Sequence, residues 1–210
     1  MKNSGVHIAR IAGVVFPLRW VYRPLIIVFL GFTTACLQQV AFSVELFDGV
    51  SLTGWDAIGD ARWAVSDGAI VGSGGDGYLV TRAVFESYRL QVEFRVDAET
   101  NSGVFIQCQD RQAISPLTCF EINIWDNHPR QEYRTGAIVT RQSPLHKLDT
   151  VGRWNRYDIL VTPLAIKVTL NDVLVSHVDS PDKGSGFIAL QRSNDGRVFF
   201  RRVSLRALAQ

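Results

Sequence analysis

The chain has 210 residues, 47% of them apolar and 20% charged, with 22 Lys and Arg against 20 Asp and Glu. This balance excludes a disordered chain, and the length allows one domain or at most two. Neither a repeat of solenoid or propeller period nor a low-complexity tract is present.

Residues 1–43 stand apart from the rest. They hold Lys2, Arg10, Arg19 and Arg23 with no acidic residue, followed by the apolar run Leu25 to Ala35. A basic stretch, an apolar centre and small residues near its end describe a secretory signal. Three fates fit: a cleaved signal, a lipid anchor on Cys36 behind Ala35, or a retained helix, since residues 25–44 are long enough to span a bilayer. Thr33 departs from the lipoprotein pattern, and Gln38 and Gln39 from an apolar span. Without the four leader cations, 18 basic and 20 acidic side chains remain, a net charge of −2. That domain, 44–210, has no Lys/Arg cluster to suit nucleic acid. It is expected to be exported, periplasmic or extracellular, and to meet a membrane only through the N-terminal segment.

From Glu45 onward the chain reads as short strands and turns. β-rich runs cover Arg62–Ser66, Tyr78–Thr81, Tyr88–Val96, Gly103–Gln109 and Phe120–Ile124. They continue at Gly136–Thr140, Arg156–Val161, Ile166–Leu170, Val173–Val178, Gly186–Gln191 and Val198–Leu205. In Tyr88–Val96, the residues Tyr88, Leu90, Val92, Phe94 and Val96 face one way; Arg89, Gln91, Glu93 and Arg95 face the other. Asp67-Gly68, the Gly72–Gly77 loop, Asn101-Ser-Gly103 and Asn194-Asp-Gly196 separate the runs, and Asn171-Asp172 makes a two-residue hairpin turn. The fold class expected is all-β, two antiparallel sheets packed face to face, with a closed barrel as the alternative. Crossover helices for a parallel sheet are missing.

Phe120-Glu-Ile-Asn-Ile-Trp-Asp126 carries the chemistry. Phe120, Ile122 and Ile124 form an inward face, while Glu121, Asn123 and Trp125 line the outward one and Asp126 follows. A carboxylate, an amide and an indole in a row suit a sugar, whose hydroxyls the polar groups bond and whose ring the indole covers. The plainer alternative is an outward strand face that is merely polar. Cys108 and Cys119 lie on consecutive strands, where they form either a disulfide or two buried thiols.

An ordered set of motifs runs from Leu46 to Leu208. It includes Leu46-Phe-Asp-Gly49, Leu52-Thr-Gly-Trp55, Trp63-Ala-Val-Ser-Asp-Gly-Ala-Ile70, Asn101-Ser-Gly-Val-Phe105 and Phe120–Asp126. Thr135-Gly-Ala137, Gly152-Arg-Trp-Asn155, Gly186–Gln191 and Val198-Phe-Phe-Arg201 complete it. The set resembles the 3-keto-disaccharide hydrolase family. The resemblance implies a concanavalin-like jelly-roll sandwich, export, and action on 3-keto glycosides, with no family list of catalytic residues to carry over. The segment Trp125–Thr150 is short beside the loops of many relatives, which implies an open site.

That chemistry needs a base for the C2 proton, a stabiliser for the enolate and an acid for the leaving oxygen. The residues expected are Glu121 as base, Arg95 as enolate stabiliser, and Asp126 and His128 as acids. Asn123, Trp125 and Gln191 are expected to bind substrate. The carbohydrate is the only partner expected, without a cofactor. Competing readings are an ion-pair face for Glu93 and Arg95, a turn for Asp126-Asn127, and solvated loops for His128 and His146. Neither histidine has zinc-like spacing, and Asp60, Asp67 and Asp76 are separate turn residues, so no metal is expected. Trp55, Trp63 and Trp154 read as core anchors. A non-catalytic sugar-binding module is the alternative function, because fold does not fix function.

Overall fold

A computed structural model describes residues 43–208 apart from Ser180 and Asp182. The expected leader up to residue 42, Cys36 included, lies outside the described residues. Thirteen strands and a single 3-10 turn make up the regular structure among the described residues, without an α-helix.

The strands are β1 (Ser43–Glu45), β2 (Trp55–Gly59), β3 (Arg62–Ser66), β4 (Ala69–Ser73), β5 (Gly77–Thr81), β6 (Tyr88–Val96) and β7 (Thr100–Cys108). Then follow β8 (Phe120–Ile124), the 3-10 turn Gln131–Tyr133, β9 (Asn155–Val161), β10 (Ala165–Leu170), β11 (Val173–Asp179), β12 (Phe187–Asn194) and β13 (Val198–Ala207). They form two antiparallel sheets. One has eight strands in the order β11-β10-β9-β6-β13-β4-β3, with β1 beside β13; the other has five in the order β2-β5-β12-β7-β8.

Alternation explains the core. Tyr88, Leu90, Val92, Phe94 and Val96 of β6 are all buried, and they pack with Phe120, Ile122 and Ile124 of β8 from the opposite sheet. Each strand hides one side between the sheets, where transfer from water drives folding. Tight turns set the register. Asn171 and Asp172 both take positive φ, 49° and 68°, as a two-residue hairpin between β10 and β11 requires.

The strands extend beyond the expected runs in places, and one expected run is not a strand. β2 and β4 lack clear alternation in sequence, yet pairing with β5 and with β3 and β13 makes them strands. Gly136–Thr140 is not a strand. It runs beside the free edge of β8 through Asn123 N to Ala137 O and Val139 N to Glu121 O, with only an isolated bridge from Ile122 to Ile138. Trp154 is not a core anchor. It lies half-buried on the outer face of the eight-stranded sheet, under the guanidinium of Arg201 at 4.0 Å.

The outer face of the five-stranded sheet carries a second apolar cluster: Val80, Phe105, Cys108, Cys119 and Ala189, with Ile58, Tyr78, Ile114 and Phe187 against it. Cys108 and Cys119 are joined by a disulfide, with Cα atoms 4.4 Å apart. The segment it closes, residues 109–118, lies across that face. Arg111 ties it to the far edge, bonding Asp56 Oδ2 of β2 at 2.9 Å and stacking over Phe187 at 4.3 Å.

Candidate functional site

Two cross-strand rows build the middle of that outer face, and the segment 109–118 buries Val80, Ala189 and Phe105 of the second. One row reads Ile58, Tyr78, Gln191, Gly103, Asn123 across β2, β5, β12, β7 and β8. The next reads Asp56, Val80, Ala189, Phe105, Glu121. Glycine in the first row leaves a notch between Gln191 and Asn123. The Glu121 carboxylate leans over it: a Cβ on Gly103 would lie 3.3 Å from Oε1.

Glu121 is 7% exposed. Among the described residues no donor bonds its carboxylate, and burial alone raises its pKa to about 7. Phe105 sits beside it in register, and Tyr78 packs edge-on to Phe105 with ring centroids 5.3 Å apart. The Tyr78 hydroxyl donates to Ile114 O at 3.3 Å. Burial raises the Tyr78 pKa, a hydrogen bond from Gln191 opposes the rise, and the Glu121 charge adds to it, so the phenol stays neutral near pH 7. Gln191 Oε1 is buried without a partner among the described residues. Beside Tyr78 and Gln191 lies a depression of about 200 Å³, lined also by Ile58, Asp76, Arg192 and Ser193.

Strand phase therefore places Glu121, Gln191 and Tyr78 on one face of the five-stranded sheet, where the Glu121 charge is felt at Tyr78. Tyr78 was not singled out from sequence. Its signal was its place beside Gln191, which only the β5–β12 pairing reveals.

The other expected residues fall elsewhere. Asn123 is on the same face but occupied: Nδ2 donates to Tyr133 O, and Oδ1 accepts from Ile124 N at 3.0 Å. Asp126 is buried in the loop, accepting from the Thr135 and Thr150 hydroxyls and from the Thr150 and Val151 amides. It fastens the segment between β8 and β9 and has no oxygen left over for a leaving group. Trp125 stands at the end of the face with His128 at 4.4 Å, and Tyr133 meets the imidazole edge-on at 5.7 Å. His128 Nδ1 accepts from Arg130 N at 3.0 Å, and burial lowers its pKa, leaving a neutral ring. Along a strand rising ~3.3 Å per residue, Trp125 is about 13 Å from Glu121.

Arg95 does not come to this site. It belongs to β6 and lies on the outer face of the eight-stranded sheet, stacked on Phe199 at 4.3 Å and Trp154 at 5.3 Å. Its side chain leaves the core, as the alternation in β6 predicts, but the outward faces of the two sheets point in opposite directions. Glu93 pairs there with Arg201 at 2.6 Å and Arg202 at 2.9 Å, so the ion-pair face exists with partners other than Arg95. Among the described residues no group of three His, Cys, Asp or Glu side chains could hold a metal ion.

A family model described as the 3-keto-alpha-glucoside-1,2-lyase-like domain matches residues 43–206. A 3-keto-disaccharide hydrolase from Bacteroides thetaiotaomicron is 26% identical over 150 residues, covering 56% of this chain and 52% of that protein. The chain thus spans about half the length of the curated relative it matches. A crystal structure from Parabacteroides distasonis, of a protein assigned as a glycosyl hydrolase, is 25% identical with a TM-score of 0.68, over 80% of this chain and 100% of that one. The carbohydrate binding module CBM66 from Bacillus subtilis shares the fold alone, at 16% identity and a TM-score of 0.57, over 74% of this chain and 96% of that one.

Proposed function

Because the chain belongs to the 3-keto-alpha-glucoside-1,2-lyase-like domain family, we propose that it acts on 3-keto glycosides by C2 proton abstraction, elimination and hydration. The observation that carries this reading is Glu121: a carboxylate without a bonded donor, raised to about 7 by burial, on the outward face of the sheet. A base with its pKa near the working pH combines a useful ionised fraction with a strong pull on the proton. The relative from Bacteroides thetaiotaomicron, named a 3-keto-disaccharide hydrolase, supports the same substrate class.

The ketone at C3 acidifies the C2 proton. Glu121 takes that proton, and the C–H electron pair becomes the enolate. Collapse of the enolate breaks the C1–O bond, and the departing oxygen leaves as an alcohol after gaining a proton. Water then adds its hydroxyl to C1 and a hydrogen to C2, so one water is consumed and no oxidant is needed. Tyr78 supplies a neutral hydroxyl and Gln191 an amide, two hydrogen-bonding groups on the same sheet face for the sugar oxygens.

A second reading, a non-catalytic carbohydrate-binding module, is favoured by the half-exposed Trp125 and its His128 and Tyr133 neighbours. An aromatic ledge binds a sugar ring without any base. The sandwich is also that of a carbohydrate binding module, and one scaffold hosts both roles.

The test is incubation of the protein with 3-keto-trehalose or a 3-keto-glucoside, following release of 3-keto-glucose. Release that disappears in Glu121→Gln supports the enzyme and its base. Calorimetric binding with no turnover favours the module.

A further inference from the structure

The segment between β8 and β9 holds a buried cation that the sugar face does not use. Arg134 directly follows the 3-10 turn, and its side chain is 4% exposed. Its Nη2 donates to Asp149 Oδ1 at 3.1 Å, and the Asp149 side chain is 85% exposed. Nε and Nη1 have no partner among the described residues. A guanidinium offers five donors in a fixed fork, and leaving buried donors unmade is costly.

Arg134 also lines a cavity of about 300 Å³ with Gln131, Ser143, Pro144, His146 and Lys147. That lining holds two fixed cations, a histidine and neutral polar groups, but no carboxylate. The backbone presenting the guanidinium is fixed. Arg134 N donates to Gln131 O at 3.3 Å, Ala137 N donates to Arg134 O at 3.0 Å, and the Thr135 hydroxyl donates to Asp126. Asp149 is a feeble competitor, because solvent screens a carboxylate that exposed.

We propose that this cavity binds one oxyanion group, a carboxylate, sulfate or phosphate, between Arg134 and Lys147 with the Ser143 hydroxyl as a further donor. The guanidinium fork matches two oxygens of such a group, and Lys147 adds a point charge. The site abuts the strand that carries Glu121: Asn123 bonds Tyr133 O through Nδ2 and accepts from Gly136 N at 3.0 Å. The anion's carrier is accordingly either an acidic sugar or a free inorganic ion. The site stands on its own geometry and does not rest on the hydrolase reading.

The experiment is calorimetric titration of the full chain with inorganic phosphate against sodium chloride at matched ionic strength, then with glucuronate against glucose. Saturable binding of phosphate or glucuronate, weakened at least tenfold in Lys147→Gln and in Arg134→Gln, supports the site. Glucuronate binding where glucose does not assigns the carrier to an acidic sugar; phosphate binding alone assigns it to a free ion. Lys147 is a surface residue, so its variant keeps the test valid if Arg134→Gln unfolds. Absence of saturable binding of either anion overturns the proposal, as does unchanged affinity in Lys147→Gln and Ser143→Ala together. Turnover of a neutral 3-keto-glucoside is measured in parallel. It stays unchanged in Lys147→Gln, which separates failure of this site from failure of the enzyme.

Discussion

The carboxylate of Glu121 lies in tight contact, 3.3 Å, with the place a Cβ on Gly103 would take. Gly103 has ordinary negative-φ backbone, so alanine is conformationally allowed there. Its Cβ, however, would lie 3.3 Å from Glu121 Oε1, from Ile122 O and from Phe105 Cε2. Gly103→Ala is therefore expected to tilt the carboxylate and fill the notch. Contacts at 3.3 Å call for a shift of a few tenths of an ångström. Since a misplacement near 1 Å costs on the order of 10²-fold in rate, a smaller loss is expected, while overpacking of this size costs about 1–2 kcal/mol. Steady-state kinetics with thermal unfolding checks this. A normal kcat/KM in a folded Gly103→Ala protein would show that the notch is not used.

Glu121→Gln separates function from stability, because the two move in opposite directions. Loss of a general base removes roughly 10²–10⁴-fold of rate. The folded state holds the Glu121 proton up to about pH 7, against a usual value of 4.5. Between those values the folded chain keeps a proton that the unfolded chain has lost. Stability therefore falls as pH rises through that window and levels off above it. Replacing the buried charge with an amide is expected to stabilise the protein by about 1–3 kcal/mol above pH 7, with no gain below pH 4. Urea unfolding at several pH values reads the slope. In turn, kcat/KM of the wild-type chain is expected to rise with pH through about 7.

Much of the sandwich was legible because alternation is a local property. Tyr88–Val96 and Arg62–Ser66 are strands with the bounds their sequences indicate. Glu121 and Gln191 were legible for the same reason, since strand phase tells which side chains leave the core. It does not tell which sheet a strand joins. Arg95 has the right phase in the wrong layer, and Tyr78 has the right partner only once β5 pairs with β12. The strap formed by residues 109–118 was not legible either. Arg111 meets Asp56 across 55 positions of sequence, a contact no local pattern encodes.

Asp126 gives a prediction about scaffolding. Its two oxygens accept from two threonine hydroxyls and two amides, which hold the 126–151 segment against β8. Asp126→Asn turns one acceptor into a donor facing donors. Two charge-assisted bonds lost in a buried setting cost about 3 kcal/mol. The expected result is a fall in Tm of several degrees, with the pH profile of any remaining activity unmoved. A shifted profile at unchanged Tm would instead make Asp126 an acid in the reaction.

The disulfide is expected to matter for the site as well as for stability. Cys108 and Cys119 are 11 positions apart. Closing a loop of that length restricts the unfolded chain by roughly 3 kcal/mol in the entropy model. The strap it closes also lies on the apolar cluster beside Glu121, so Cys108→Ala with Cys119→Ala frees the strap and wets the carboxylate. The double variant is expected to unfold earlier and to shift the kcat/KM profile toward lower pH, as Glu121 regains solvent. A lowered Tm with an unmoved profile would show that the strap does not govern the base.

Arg95 tests the layer assignment itself. Its guanidinium is sandwiched between Phe199 and Trp154, on the far side of the core from Glu121. An enolate bound at Glu121 has both sheets between itself and that charge, which leaves no direct contact to lose. Arg95→Gln is expected to forfeit stacking worth about 0.5–1 kcal/mol per ring at such a surface. Turnover of a 3-keto-glucoside is expected to stay within about twofold of wild type, the scale of an ordinary surface substitution. A drop of several orders of magnitude in a folded Arg95→Gln protein would place the chemistry on the eight-stranded sheet, where Glu93 would replace Glu121 as the carboxylate to examine.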